Sequence, residues 1–112
     1  MCIRDSSNTI RGAVASWAKT LSIEVGENGI TVNNILPGFT NTERLSSLIK
    51  LKSSNQKSSF EKISNAMKEQ VPSKRFGLPE ETAKAIAFLA SPAASYINGV
   101  SLAVDGGRLS SI

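Results

Sequence analysis

The chain has 112 residues, a formal charge of +4, 40% hydrophobic and 20% charged residues, and no histidine. That length allows one small domain, the composition is globular rather than disordered or membrane-spanning, and the missing histidines remove Ser-His-Asp, Cys-His and most zinc chemistry, so no metal site is expected. A single cysteine, Cys2, cannot form an internal disulfide, which sets a reducing, cytoplasmic compartment as the expectation.

Residues 8–25 carry Ile10, Val14, Trp17, Leu21 and Val25 at helical spacing, with Ser6 and Ser7 as N-caps. The stripe, Trp17 included, reads as core packing. Gly26 to Gly29 stop the helix. Residues 30–36 follow as a nearly continuous apolar run, the pattern of a strand buried on both faces of a parallel sheet.

Residues 40–59 are rich in Ser and Lys and read as a mobile polar insertion. Its lysines are dispersed and few aromatics stand among them, which argues against nucleic acid as a partner. Ser58 and Glu61 form a capping pattern for a helix whose face is Phe60, Ile63, Met67 and Val71, stopped at Pro72. Pro79 suits the first turn of a helix over 80–90, with Ala83, Ile86, Ala87 and Ala90 on one face and Glu80 paired with Lys84. Val100 to Val104 form the last strand. Two parallel strands joined by helical crossovers make a poor independent sheet, so the pattern itself predicts the C-terminal part of a larger doubly wound α/β domain.

Ligands of an open α/β sheet bind beyond the carboxyl ends of its strands, where the loop Pro37–Thr42 falls. Pro37 fixes φ, Gly38 lets a small molecule approach the main chain, and Thr40 and Thr42 bring hydroxyls that suit a carboxamide or phosphate. The same residues also make a plain strand-to-helix turn with Thr or Asn as N-cap. Spacing alone leaves both readings open.

"GITVNNILPGFTNTERL" followed by "PSKRFGLPEETAKAIAFLASPAASYINGVSLAVDGG" resembles the C-terminal half of the short-chain dehydrogenase/reductase family, in the manner of its 3-oxoacyl-carrier-protein reductases. The match runs from about Ser7 to Gly107 and rests on five short motifs in order: N-x-x-x-P-G, R-F-G-x-P-E-E, F-L-A-S, Y-I-N-G and V-D-G-G. The resemblance implies a Rossmann-type sheet that binds NAD or NADP. Pro37 and Gly38 would lie at the nicotinamide end, Thr40 would bond the carboxamide through its backbone, and Thr42 would use its hydroxyl near carboxamide and pyrophosphate. It further implies a substrate lid over residues 41–71, a small carbonyl or alcohol substrate, and a homo-oligomer, dimer or tetramer. Asn33, Asp105 and Tyr96 read as structural.

The chain departs from the family in two respects. No glycine-rich phosphate loop occurs in it. The family's catalytic tyrosine should stand four residues before a lysine, yet these slots hold Arg4 and Asn8. One explanation treats residues 1–6 as an unrelated leader and residues 7–112 as part of a single Rossmann-type domain. The other treats the departure as real. Relatives with S-N-x-x-R match Ser7, Asn8 and Arg11, whose charge could replace part of the lysine's role; as a surface cation, Arg11 would have no such part. The expectation is an oxidoreductase fragment, inactive by itself and with no catalytic residue identified. The alternatives are a non-catalytic nucleotide-binding or assembly subunit of the same family, or a small basic binding module complete in itself.

Overall fold

The computed structural model describes residues 3–110, with side chains from residue 8 onward. Met1 and Cys2, and with them part of the expected leader, lie outside the described residues. The elements in order are α1 (Ile3–Val25), a 3-10 turn (Gly26–Asn28), β1 (Asn34–Pro37), α2 (Glu43–Gln56), α3 (Phe60–Glu69), α4 (Pro79–Leu89), a 3-10 turn (Pro92–Ala94) and β2 (Ser101–Val104). The two strands pair in parallel: Asn34 N–H donates to Val100 O at 2.8 Å and Gly38 N–H to Val104 O at 3.0 Å, both advancing in the same direction. Two compact units divide the chain, Met1–Ile35 with Ile86–Leu102 and Leu36–Ala85 with Ala103–Ile112.

In the first unit, α1 begins before the predicted caps, so Ser6 and Ser7 lie inside the helix. The apolar stripe is not core in this chain. Ile10, Val14 and Trp17 are exposed, Trp17 at 62%, while Ala18 and Ser22, one turn apart, are the buried pair. The buried side is the one bonded to the segment before β2. Ser22 O accepts from Asn98 Nδ2 at 2.9 Å, and Lys19 Nζ donates to Gly99 O at 3.3 Å. Residues 30–33 were expected in the strand but stand outside it. Side chains hold them instead: Val32 N–H donates to Asn98 Oδ1, Asn33 Nδ2 donates to Ile97 O, and Val100 N–H donates to Asn33 Oδ1. Asn33 thus ties two segments together, as expected. Tyr96, read as structural, is fully exposed.

The second unit holds the hydrophobic core: Leu45 and Ile49 of α2 against Ile63 and Met67 of α3, flanked by Phe39 and Phe76. The polar insertion expected over 40–59 is mostly helix. Thr42 Oγ1 caps it by accepting from Leu45 N–H at 3.2 Å, Glu43 supplies negative charge to its first turn, and Leu45 and Ile49 bury one stripe. An i, i+4 pair of buried residues sufficed where a fuller stripe had been sought. In α3 the N-cap is Ser59, bonded to Lys62 N–H at 3.1 Å, rather than Ser58. Ile63, Met67 and Val71 are buried as expected, but Phe60 is exposed.

Pro79 opens α4 as expected. Its predicted apolar face stays exposed, Ile86 at 51%. Glu80 and Lys84 form no ion pair among the described residues; the acid that pairs is Glu81. Nor are the strands buried on both faces, since Leu36 and Leu102 are exposed and no described layer covers them. Among the described residues no helix is long and apolar enough to cross a membrane.

Candidate functional site

The loop that leaves β1 is built inside the second unit. Pro37 is the last strand residue. The N–H groups that donate to β2's side belong to Asn34 and Gly38, so the missing proline N–H falls on the opposite edge, where no ladder bond is lost. Gly38 comes next, against the end of β2. A Cβ there would sit 2.6 Å from Asp105 Cβ and 2.7 Å from its Cα. The glycine is therefore required by this chain's own packing, whatever else approaches it.

Phe39 to Asn41 are held from the other side by residues after α3. Gly77 N–H donates to Phe39 O at 2.9 Å and Asn41 N–H to Gly77 O at 2.8 Å, a one-residue parallel bridge opposite Thr40. That bridge uses the groups on either side of Thr40 and leaves Thr40's own N–H and C=O on the other edge. The Thr40 hydroxyl donates to Gly38 O at 3.1 Å, which folds the loop back on itself and leaves the oxygen's lone pairs available. The Thr42 hydroxyl spends an acceptor site on the α2 cap and keeps its proton to donate. The N-cap reading of Thr42 and a ligand role for it are thus compatible, since they use different parts of one hydroxyl.

Phe39 is braced by charge and ring. The Arg108 guanidinium lies 4.2 Å from its ring centroid, and Phe76 meets it edge-on at 6.2 Å and 82°. Arg108 follows a turn shaped by Asp105, whose carboxylate accepts from Gly107 N–H at 3.0 Å and Leu109 N–H at 2.9 Å. Asp105 holds a loop, as the sequence suggested. Ser73 then ties this turn to the exit of α3, its N–H and hydroxyl both donating to Gly106 O.

Beyond Gly77, Arg75 grips Glu81 with two parallel bonds of 2.6 and 2.9 Å, and Glu81 also accepts from Leu78 N–H at 2.9 Å. Leu78 directly precedes the first residue of α4, so Glu81 performs the return half of a capping box. The Arg75 hydrogen bond, then the Leu78 N–H, pull the Glu81 carboxyl from its ordinary 4.5 to about 2. Sequence reasoning missed this fork and the Gly77 bridge. Both lie in the R-F-G-x-P-E-E motif, and the signal was an arginine and an acid on opposite sides of a helix-starting proline.

Pro37, Gly38, Thr40 and Thr42 thus occupy one continuous turn. Nearby, Phe39, Arg75, Gly77, Glu81 and Asp105 line a cavity of about 100 Å³, room for a few waters and far too small for a dinucleotide. A shallow open recess lies along the first turns of α2 at Asn41, Thr42, Ser46 and Lys50. Asn8 and Arg11 are exposed on α1 in the first unit. No ion pair of Arg11 occurs among the described residues.

A family model described as enoyl-(acyl carrier protein) reductase matches residues 4–108. The NADPH-dependent reductase BacG of Bacillus subtilis is 36% identical over 107 residues, which cover 96% of this chain and 41% of that protein. The 3-oxoacyl-[acyl-carrier-protein] reductase FabG of Chlamydia trachomatis is 41% identical over 97 residues, 87% of this chain and 35% of that protein. Among solved structures, YwfH, an NADPH-dependent reductase involved in bacilysin biosynthesis, superposes with a TM-score of 0.86 at 36% identity, over 93% of this chain and 39% of its own. L-sorbose reductase from Gluconobacter frateurii, complexed with NADPH and L-sorbose, gives 0.85 at 32% identity, over 94% and 40%. The chain therefore spans about two fifths of the length of the proteins it matches. It belongs to the short-chain dehydrogenase/reductase family and corresponds to the C-terminal portion of that family's Rossmann-type α/β fold.

Proposed function

We propose that residues 7–112 are the C-terminal part of an NAD(P)-dependent oxidoreductase that acts on a small carbonyl compound or secondary alcohol. When bound, the cofactor supplies the hydride. Pro37, Gly38, Thr40 and Thr42 hold its nicotinamide end, and residues 41–71 are the substrate lid. The observation that carries this reading is the free edge at Thr40. The loop is pinned by Gly77 at Phe39 and Asn41 and by Val104 at Gly38, and Thr40's own N–H and C=O point away from Gly77 and have no hydrogen-bond partner among the described residues. A carboxamide needs one acceptor and one donor at hydrogen-bond distance, and a pre-shaped main chain offers both without loss of side-chain entropy. The Thr42 proton adds a second donor. The α2–α3 core gives the lid a body of its own, able to exclude water as a unit.

The chain holds a positioning loop but no acid/base pair, and it is inactive by itself. NADPH consumption by this chain with any ketone or β-keto ester would overturn that. Homo-oligomerisation of the complete protein and a cytoplasmic location belong to the same proposal, the former on family resemblance and the latter on the single cysteine.

Asn8 at the lysine slot favours a second reading, a non-catalytic nucleotide-binding or assembly subunit. The coding sequence upstream of Ser7 separates the two. A glycine-rich loop and a tyrosine four residues before Asn8 support the enzyme. A reading frame with the loop but no tyrosine supports the binding subunit.

A further inference from the structure

The sequence contains two Asn-Gly pairs, Asn28-Gly29 and Asn98-Gly99. Such pairs are the chemically weakest points of a polypeptide, because glycine has no Cβ to hinder attack of its amide nitrogen on the preceding side chain. In this chain they form a matched comparison inside one compact unit. Both asparagines are exposed, and both glycines take a left-handed backbone, φ 73° at Gly29 and 72° at Gly99.

Their surroundings differ. Asn98 is held at both ends of its amide: Oδ1 accepts from Val32 N–H at 2.9 Å and Nδ2 donates to Ser22 O at 2.9 Å. The amide that would attack it, Gly99 N–H, is occupied by Val32 O at 2.9 Å. Gly99 also stands against Lys19 Nζ and Ser22 Oγ, each 2.8 Å from where a Cβ would be. At the other pair, the Asn28 side chain has no hydrogen bond among the described residues. Gly29 N–H is held only by Gly26 O, at 3.1 Å within a single 3-10 turn, and open space surrounds Gly29.

We propose that Asn28 is a spontaneous modification site and that Asn98 is protected from the same reaction by its three bonds. The deprotonated Gly29 nitrogen forms a bond to Asn28 Cγ, and the Cγ–Nδ2 bond breaks with release of ammonia. Water then opens the cyclic imide at one of its two carbonyls, giving aspartate or isoaspartate; no electron donor or acceptor is needed. Isoaspartate lengthens the main chain by one methylene and adds a carboxylate beside Glu27. The change stays within the turn, because from Val32 onward the chain is fastened by Asn98 and Asn33.

The test follows the intact 112-residue chain in mildly alkaline buffer. Trypsin places Asn28 in the peptide Thr20–Arg44 and Asn98 in Ala85–Arg108, so one digest reads both sites, with fragmentation assigning the residue. Asn98 must break two more hydrogen bonds than Asn28, so conversion at Asn28 is expected to be at least about fivefold faster. In concentrated urea the two rates should converge. Asn28→Gln should abolish the fast charge variant on ion exchange. Equal rates in the folded chain, faster conversion at Asn98, a difference that survives in urea, or assignment of the fast site to Asn33, Asn34 or Asn41 would each overturn the proposal.

Discussion

At the scale of single residues, the loop after β1 depends on two small features. Thr42 supplies one hydroxyl oxygen to the first turn of α2. Thr42→Ala is expected to cost about 1 kcal/mol of stability in urea unfolding, and Thr42→Ser to restore most of it. Gly38 is the stricter position. The nearest neighbours of an added Cβ include a backbone atom, which cannot swing aside as a side chain could. Gly38→Ala is therefore expected to lose about 1–3 kcal/mol by overpacking and to loosen the pairing of Gly38 with Val104, seen as faster amide exchange at residue 38. Pro37 and Gly38 were legible as turn-formers. What the glycine accommodates was not, because Asp105 is remote in sequence and only the sheet brings it near.

At the scale of elements, α4 begins on an ion pair. The Glu81 carboxyl titrates at 4.5 in an unperturbed chain and at about 2 when gripped by Arg75 and Leu78 N–H. The folded state thus binds that proton less readily than the unfolded state. The contribution is intact above pH 4.5 and disappears as pH falls toward about 2. Both side chains are partly exposed, so salt weakens the pair. Glu81→Gln is expected to flatten the acid limb of the stability profile in that window, read by urea unfolding across about pH 2 to 5. The helices α1, α3 and α4 were legible because apolar spacing or a flanking proline marked them. Helix α2 was not, because Ser and Lys occupy its solvent face and only Leu45 and Ile49 turn inward. The strands were placed but drawn too long at their N-terminal ends. There, asparagine side chains take over from the backbone ladder, and periodicity carries no trace of that.

At the scale of the whole molecule, apolar patterning and burial part company. The stripe of α1 and the face of α4 have the spacing of core, yet Ile10, Val14, Trp17, Ala83, Ile86 and Ala87 are exposed. Periodicity reports which face is apolar, not which surface covers it. Trp17, the only tryptophan, reads this out directly. Its emission in the 112-residue chain should resemble solvated indole and be quenched by acrylamide; a blue-shifted, protected emission would show the stripe to be covered. The pinned loop carries a consequence for the order of folding. Its two fasteners come from far along the chain: Gly77 follows two further helices, and Val104 lies on β2, whose Ser101 bonds Asn34 across 67 residues of sequence. Closure over such distances is entropically slow. Helices α2 and α3, neighbours in sequence, can meet early, whereas the bend at Gly38–Asn41 acquires its shape only once Val104 arrives. A chain caught partway through synthesis would hold the α2–α3 core before it held the bend that follows β1.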